Sequence, residues 1–327
     1  MHLSLNTNTY AEAKARGKGP EVEMDTQYRT GLLVEHMNEP AWGPGKVVHV
    51  GGGYVHVLFR DVPDRKAKMF SGGSAPLQAA ASQSDPILDN LPPLVQKDRR
   101  WYLRRDRLTP NQSRQIFLDK FPGGFTDPRY LGSKNEGERN YKWWAHERFV
   151  HDFGGGQSRQ LLDAGDFKEI RRRALGVLGQ VNLLSPYESA AFREATEEDK
   201  AAARFFTALF NLLEAPKQSS DVFNPYADAI RALPARAGRA RVATWPVATV
   251  FPFLAQPDRH MLLKPERMRE AAERLGFDLR YDSNINWATY STLLRMAEAY
   301  MALLRDLGPR DFIDIQSFIY VSCGWSE

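Results

Sequence analysis

The apolar positions of this chain follow two different spacings, and the change between them divides it. Between Tyr28 and Phe70 (YRTGLLVEHMNEPAWGPGKVVHVGGGYVHVLFRDVPDRKAKMF) apolar residues come in short runs, broken by a Pro-Ala-Trp-Gly-Pro-Gly turn and by three consecutive glycines. Runs of this length bounded by Gly and Pro predict β-strands. They fall at Leu32 to Val34, Lys46 to Val50 and Tyr54 to Phe59, with Gly51, Gly52 and Gly53 able to take the positive φ that a tight hairpin needs. Val55, Val57 and Phe59 share one face of the third strand and Tyr54, His56 and Leu58 the other. Neither face is fully polar, so a strongly bent, barrel-like sheet is expected. Ala67 to Phe70 is a further candidate strand, with Lys66 and Lys68 facing water.

Further along, apolar residues recur at three and four. Thr109 and Pro110 cap a helix running through Phe117, and a second runs from Glu136 through Val150 to the glycines at 154–156. A third fits Asp166 to Gln180. A fourth starts at Thr196, with Asp199 in a capping-box-like arrangement, and carries Phe205, Phe206, Leu209, Phe210, Leu212 and Leu213 as core before Pro216. Pro265 opens a helix that Gly276 closes, and Trp287 to Leu307 has the clearest helical spacing of all. Val242 to Leu254 is β-prone but interrupted by Pro246 and Pro252, which predicts a buried irregular segment or an edge strand. The pattern is that of an α+β protein: a loose arm (1–23), a small β-module (24–78), a Ser/Gly/Pro-rich linker (79–96) and a mostly α-helical domain (97–327).

Composition narrows the classes of function. The 327 residues are 43% hydrophobic, enough for a real core. No apolar run is long enough to cross a bilayer and the first residues lack a signal-peptide core, so a cytoplasmic location without membrane partners is expected. A single cysteine, Cys323, excludes an internal disulfide and a thiolate metal cage. The net charge of +4 is compatible with nucleic acid without demanding it. Local charge is more informative: Lys97 to Arg107 (KDRRWYLRRDR) holds six basic and two acidic residues. Arg99, Arg100, Arg104, Arg105 and Arg107 could neutralise phosphates while Trp101 or Tyr102 stacks on a base, although a basic run is more often a solvated surface. A second cluster, Arg139, Tyr141, Lys142, Trp143, Trp144, His146 and Arg148, has similar composition, and at least one of its tryptophans should be buried.

Templates for catalysis fit poorly. His146 and His151 are five apart, about 140° around a helix, so they share no zinc face. The glycine clusters lack the Lys-Ser/Thr of a phosphate loop, and no cofactor is expected. Asp163, Asp166 and Lys168 could belong to a metal-dependent nuclease, but they read more simply as a helix cap and first turn. Asp258, Arg259 and His260 form a loop cluster with no assigned chemistry.

The segment Trp42-Gly43-Pro44-Gly45-Lys46-Val47-Val48, followed by Tyr54-Val55-His56-Val57-Leu58-Phe59, resembles a small bacterial SH3- or Tudor-like module. Such modules occur as short uncharacterised proteins, at the C-termini of some DNA-repair helicases and in regulators that bind RNA polymerase. The likeness covers roughly an eighth of the chain, departs from the pattern at Asp61-Val62-Pro63-Asp64, and lacks a clear closing strand. It implies a docking module with Trp42, Tyr54, Lys66 and Lys68 toward the partner, or with Trp42 plugging the barrel base. The remainder resembles only uncharacterised bacterial proteins. The expected function is a non-enzymatic bacterial adaptor binding nucleic acid or a nucleic-acid-processing protein complex; the alternative is a metal-dependent nuclease or related hydrolase in the helical domain.

Overall fold

The computed structural model describes residues 27–104, 106–133, 137–235 and 241–323; the expected arm at 1–23 lies outside them. Five short strands form one antiparallel sheet in the order β4-β3-β2-β1-β5: β1 (Leu33–His36), β2 (Gly45–Gly51), β3 (Tyr54–Phe59), β4 (Lys68–Ser71) and β5 (Leu77–Ala79). The predicted hairpin forms as expected, with Gly51 opposite Tyr54 and with Gly52 and Gly53 at φ +60° and +83°. Val47 pairs with Val57 and His49 with His56, so Val48 is an extra residue that bends β2. Gly45 is required by a close approach: a Cβ there would lie 2.6 Å from the side chains of Val57 and Phe59. Val34, Val47, Val55, Val57, Phe59 and Leu77 fill the bent face. The sheet is not closed, since among the described residues no ladder joins β4 to β5.

The basic segment folds as a second hairpin, β6 (Val95–Lys97) and β7 (Arg100–Tyr102), turned by Asp98 and Arg99 at φ +50° and +60°. It lies along the residues before β4, with Ala67 N donating to Trp101 O and Leu103 N to Arg65 O, both at 2.8 Å. The stretch expected as a linker, 79–96, is folded rather than extended. Its composition hides two apolar anchors, Ile87 and Leu88, which are fully buried. The Asp85 carboxylate accepts from their backbone amides at 3.0 and 2.9 Å and pairs with Arg60 at 2.9 Å.

Twelve helices follow among the described residues: α1 (Pro110–Lys120), α2 (Pro128–Leu131), α3 (Asn140–Phe153), α4 (Gln157–Asp163), α5 (Phe167–Leu178), α6 (Pro186–Ala195), α7 (Asp199–Glu214), α8 (Ser220–Arg231), α9 (Trp245–Ala255), α10 (Pro265–Arg274), α11 (Trp287–Leu303) and α12 (Phe312–Ser322). Thr109 caps α1 through a reciprocal capping box with Gln112. Thr196, expected to open a helix, instead ends α6, its hydroxyl donating to Phe192 O; α7 begins at Asp199. The larger correction concerns 242–254, which is helical from Trp245 onward: α9 is buried at all eleven positions. Pro246 sits in its first turn, where no intrahelical N–H is needed, and burial on every side outweighs β-propensity. Phe251 meets Phe192 at 5.3 Å and Phe205 at 6.0 Å. No described helix is long and apolar enough to cross a membrane.

Arg107 ties the sheet to the helices. Its buried Nη2 donates to Phe59 O (2.5 Å) and Val62 O (3.1 Å), while Nε and Nη1 have no partner. Burial lowers the guanidinium pKa below its usual value. Leu108 N donates to Arg274 O and Asp278 N to Asn90 O, which continues the seam.

Candidate functional site

The sequence-derived residues separate into three groups. Arg99, Arg100 and Arg104 are exposed on and beside the β6–β7 hairpin, with no carboxylate pairing among the described residues; Arg105 lies outside these. Trp101 is half-buried, its ring 5.4 Å from that of His49. Trp42 is half-buried against His36 (4.7 Å) and Phe59 (5.1 Å), with the Lys68 ammonium over its ring at 5.6 Å. Lys68 also reaches Asp64 at 3.4 Å, so it does not simply face water. Lys66 bridges to Tyr102, and Tyr54 is exposed.

Arg107, Arg139 and Lys142, expected to contact nucleic acid, are instead buried. The physical reason for Arg139 is a carboxylate network. It donates to Asp311 at 2.6 and 2.8 Å and to Asp314 at 2.7 Å, and Asp314 also accepts from Tyr130 Oη and from Arg310. Burial disfavours the charge, but the two aspartates outweigh it and the Arg139 pKa is raised. This is an internal tie between α12 and the start of α3.

Lys142 differs because it lines a cavity of about 1090 Å³. The cavity is bounded by the end of α1, by α2 and α3, by the turn after α5, by the start of α10 and by α12. On α3, Lys142 falls in register with Ala145, Phe149 and Asp152, which turns its side chain inward. Its Nζ donates to Ser317 Oγ at 2.9 Å and lies 3.6 Å from Glu138 and 5.2 Å from the Tyr141 ring. Burial draws its pKa down to about 8, with Glu138 resisting and Lys264 assisting. Lys264, itself lowered by burial, stands with Lys120, Arg129 and Arg267 on the same walls, so five cationic side chains face one carboxylate. Arg129 is shared with Asp127 at 3.3 Å. Tyr141, Trp144 and Tyr320 supply rings, Trp144 and Tyr320 being over a third exposed. The Gln316 side chain lines the cavity at 9% exposure, and its Oε1 has no hydrogen-bond partner. Such a site can take an anion carrying a ring system and at least one donor.

Only Tyr141, Lys142 and Trp144 of these residues were visible as a cluster in the sequence. Lys120, Arg129, Lys264, Arg267, Gln316 and Tyr320 come from distant segments and carry no motif. The one available signal was a lysine at a core-facing position of α3.

The catalytic alternatives find structural roles. Asp166 caps α5 by accepting from Glu169 N at 3.1 Å. His151 Nδ1 and Asp152 Oδ1 are 2.9 Å apart, with Asp152 also accepting from Arg148. His260 is buried against Tyr290 Oη at 2.9 Å, and burial lowers its pKa to about 3. Among the described residues no group of three His, Cys, Asp or Glu side chains is placed to hold a metal ion. Comparison with known proteins found no family model, no curated protein and no solved structure that matches the chain.

Proposed function

We propose that the protein is a non-enzymatic adaptor that binds nucleic acid, seating a phosphorylated end of the strand in the cavity beside Lys142. The supporting observation is the combination of five cationic side chains with the rings of Tyr141, Trp144 and Tyr320 around one concave site of about 1090 Å³. Phosphates demand cations and unstacked bases demand ring faces, and single-strand binders combine the two. In this reading the exposed Arg99, Arg100 and Arg104 extend the contact along the backbone of the strand. In the same reading the sheet, by the resemblance of its sequence to a Tudor-like module, is a protein-docking element, with Met37, Tyr54 and Met69 exposed on the module.

The test is the affinity of the full chain for a 5′-phosphorylated single-stranded oligonucleotide and its unphosphorylated counterpart, measured across salt concentrations. Affinity should fall steeply with salt, favour the phosphorylated end, and drop about tenfold in Trp144→Ala, a loss within the range of one stacked base. Lys264→Ala should reduce the salt slope by about one. Undetectable binding at low salt, or affinity unchanged in both variants, overturns the reading. The double variant Arg99→Ala/Arg100→Ala tests the hairpin separately.

A further inference from the structure

Lys142 is placed for chemistry as well as for charge. It is 1% exposed, yet it lines the cavity of about 1090 Å³, at the end of α3 that faces α12 and α10. A lysine held only for structure would share a full carboxylate, as Arg139 shares Asp311 and Asp314. Lys142 instead has the Ser317 hydroxyl at 2.9 Å and Glu138 at 3.6 Å, with the Lys264 ammonium and the Asp314 carboxylate as the other charges acting on it. Desolvation, assisted by Lys264, outweighs the pull of the two carboxylates and favours the free amine, which is the nucleophilic form. The unpartnered Gln316 Oε1 on the same wall is an acceptor waiting for a donor that no described protein group provides.

We propose that Lys142 is a covalent capture site, whose amine condenses with the aldehyde or ketone of a phosphorylated molecule seated in the cavity. The inference rests on the reading above for the charge of its ligand. The nitrogen lone pair adds to the carbonyl carbon and gives a carbinolamine. Its C–O bond then breaks, the oxygen leaves as water with both amine protons, and a C=N bond remains. Glu138 is close enough to carry a proton from nitrogen to the departing oxygen. The Gln316 carbonyl accepts from a ligand hydroxyl or amine, and the wall cations hold the phosphate. With a pKa of about 8, Lys142 has roughly 300 times more free amine at neutral pH than a lysine at 10.5.

The experiment has two arms: the full-length protein is incubated with pyridoxal 5′-phosphate, or with a single-stranded oligonucleotide carrying an abasic-site aldehyde. Each mixture is reduced with borohydride and the modified peptide is mapped. The expected result in at least one arm is an adduct on Lys142 at least about tenfold above that on any other lysine, suppressed by inorganic phosphate. The productive arm identifies whether the carbonyl arrives on a small molecule or on a strand. Lys142→Arg, which keeps the charge, should lose the adduct, while Ser317→Ala should keep it. If either variant fails to fold, the map of the natural protein decides alone. Reversible binding without a Lys142 adduct overturns this inference and leaves the nucleic-acid reading standing. Absence of binding by either probe or by the phosphorylated oligonucleotide overturns both.

Discussion

Replacing Lys142 by methionine should make the protein more stable at neutral pH, and the gain should vanish in alkali. Methionine keeps the length of the side chain and most of its volume while removing the ammonium. The folded pKa of about 8 against 10.5 for a free lysine corresponds to about 3 kcal/mol of cost in holding the proton at pH 7, at about 1.4 kcal/mol per unit. The hydrogen bond to Ser317 is lost in exchange, at roughly 1 kcal/mol. A net gain of about 2 kcal/mol is expected. The sign with pH follows from the protons bound: between about 8 and 10.5 the unfolded chain keeps the proton that the folded one has shed, so the natural protein gains stability as pH rises. The variant has no such term, and its advantage should be gone by about pH 10. Urea denaturation of both proteins at pH 7, 8, 9 and 10 measures this directly. A variant less stable than the natural protein at pH 7, or a difference constant across the range, would refute the reasoning and make Lys142 an ordinary structural cation. A stabilising loss of a buried cation is the signature of a residue retained for function.

Asp314→Asn removes the charge on which Arg139, Arg310 and Tyr130 converge and should cost roughly 3 to 5 kcal/mol, seen as a lower urea midpoint. Arg107→Met leaves the Phe59 and Val62 carbonyls without their donor; roughly 2 to 4 kcal/mol of destabilisation and faster amide exchange at Leu103 and Leu108 are expected, and unchanged exchange would remove Arg107 as the tie. His260 is held neutral by burial, so below about pH 6.5 the unfolded chain binds a proton that the folded one refuses. Stability should fall by about 1.4 kcal/mol per unit from 6.5 toward 3, and this part of the slope should disappear in His260→Gln.

Local signals located most of the elements. Glycine pairs turn the first hairpin where the sequence has them, the caps at Thr109 and Asp166 start helices at the predicted places, and α11 begins at Trp287 as expected. Readings failed where tertiary burial overrides local preference. Val242 to Leu254 has strand-like residues and two prolines, yet from Trp245 it is a helix because every side of it is enclosed. Arg139 looked like a phosphate ligand because its two aspartates lie some 170 residues further along. Arg107 was misread for a related reason: its acceptors are backbone carbonyls, which no sequence pattern advertises. The cavity was the least legible feature, since its cations are contributed one or two at a time by separate helices. Lys142 was read as one more member of a basic cluster, although its place in register with Ala145 and Phe149 turns it to the core.

The enclosure of α9 also bears on how the chain is made. Its eleven buried residues, all but Thr249 apolar, rest on α3 and α7, which leave the ribosome before it, but Trp245 Nε1 donates to Asp282 O and Thr249 Oγ1 accepts from Leu263 N, both synthesised later. A nascent chain that has just released Ala255 therefore carries an apolar helix with one side still open to water. Closing that side waits on the segments at Leu263 and Asp282, the first of which also brings Leu262 and Lys264 to the wall of the cavity. Completion of that wall of the cavity and protection of α9 from aggregation thus share a late step in the life of the molecule.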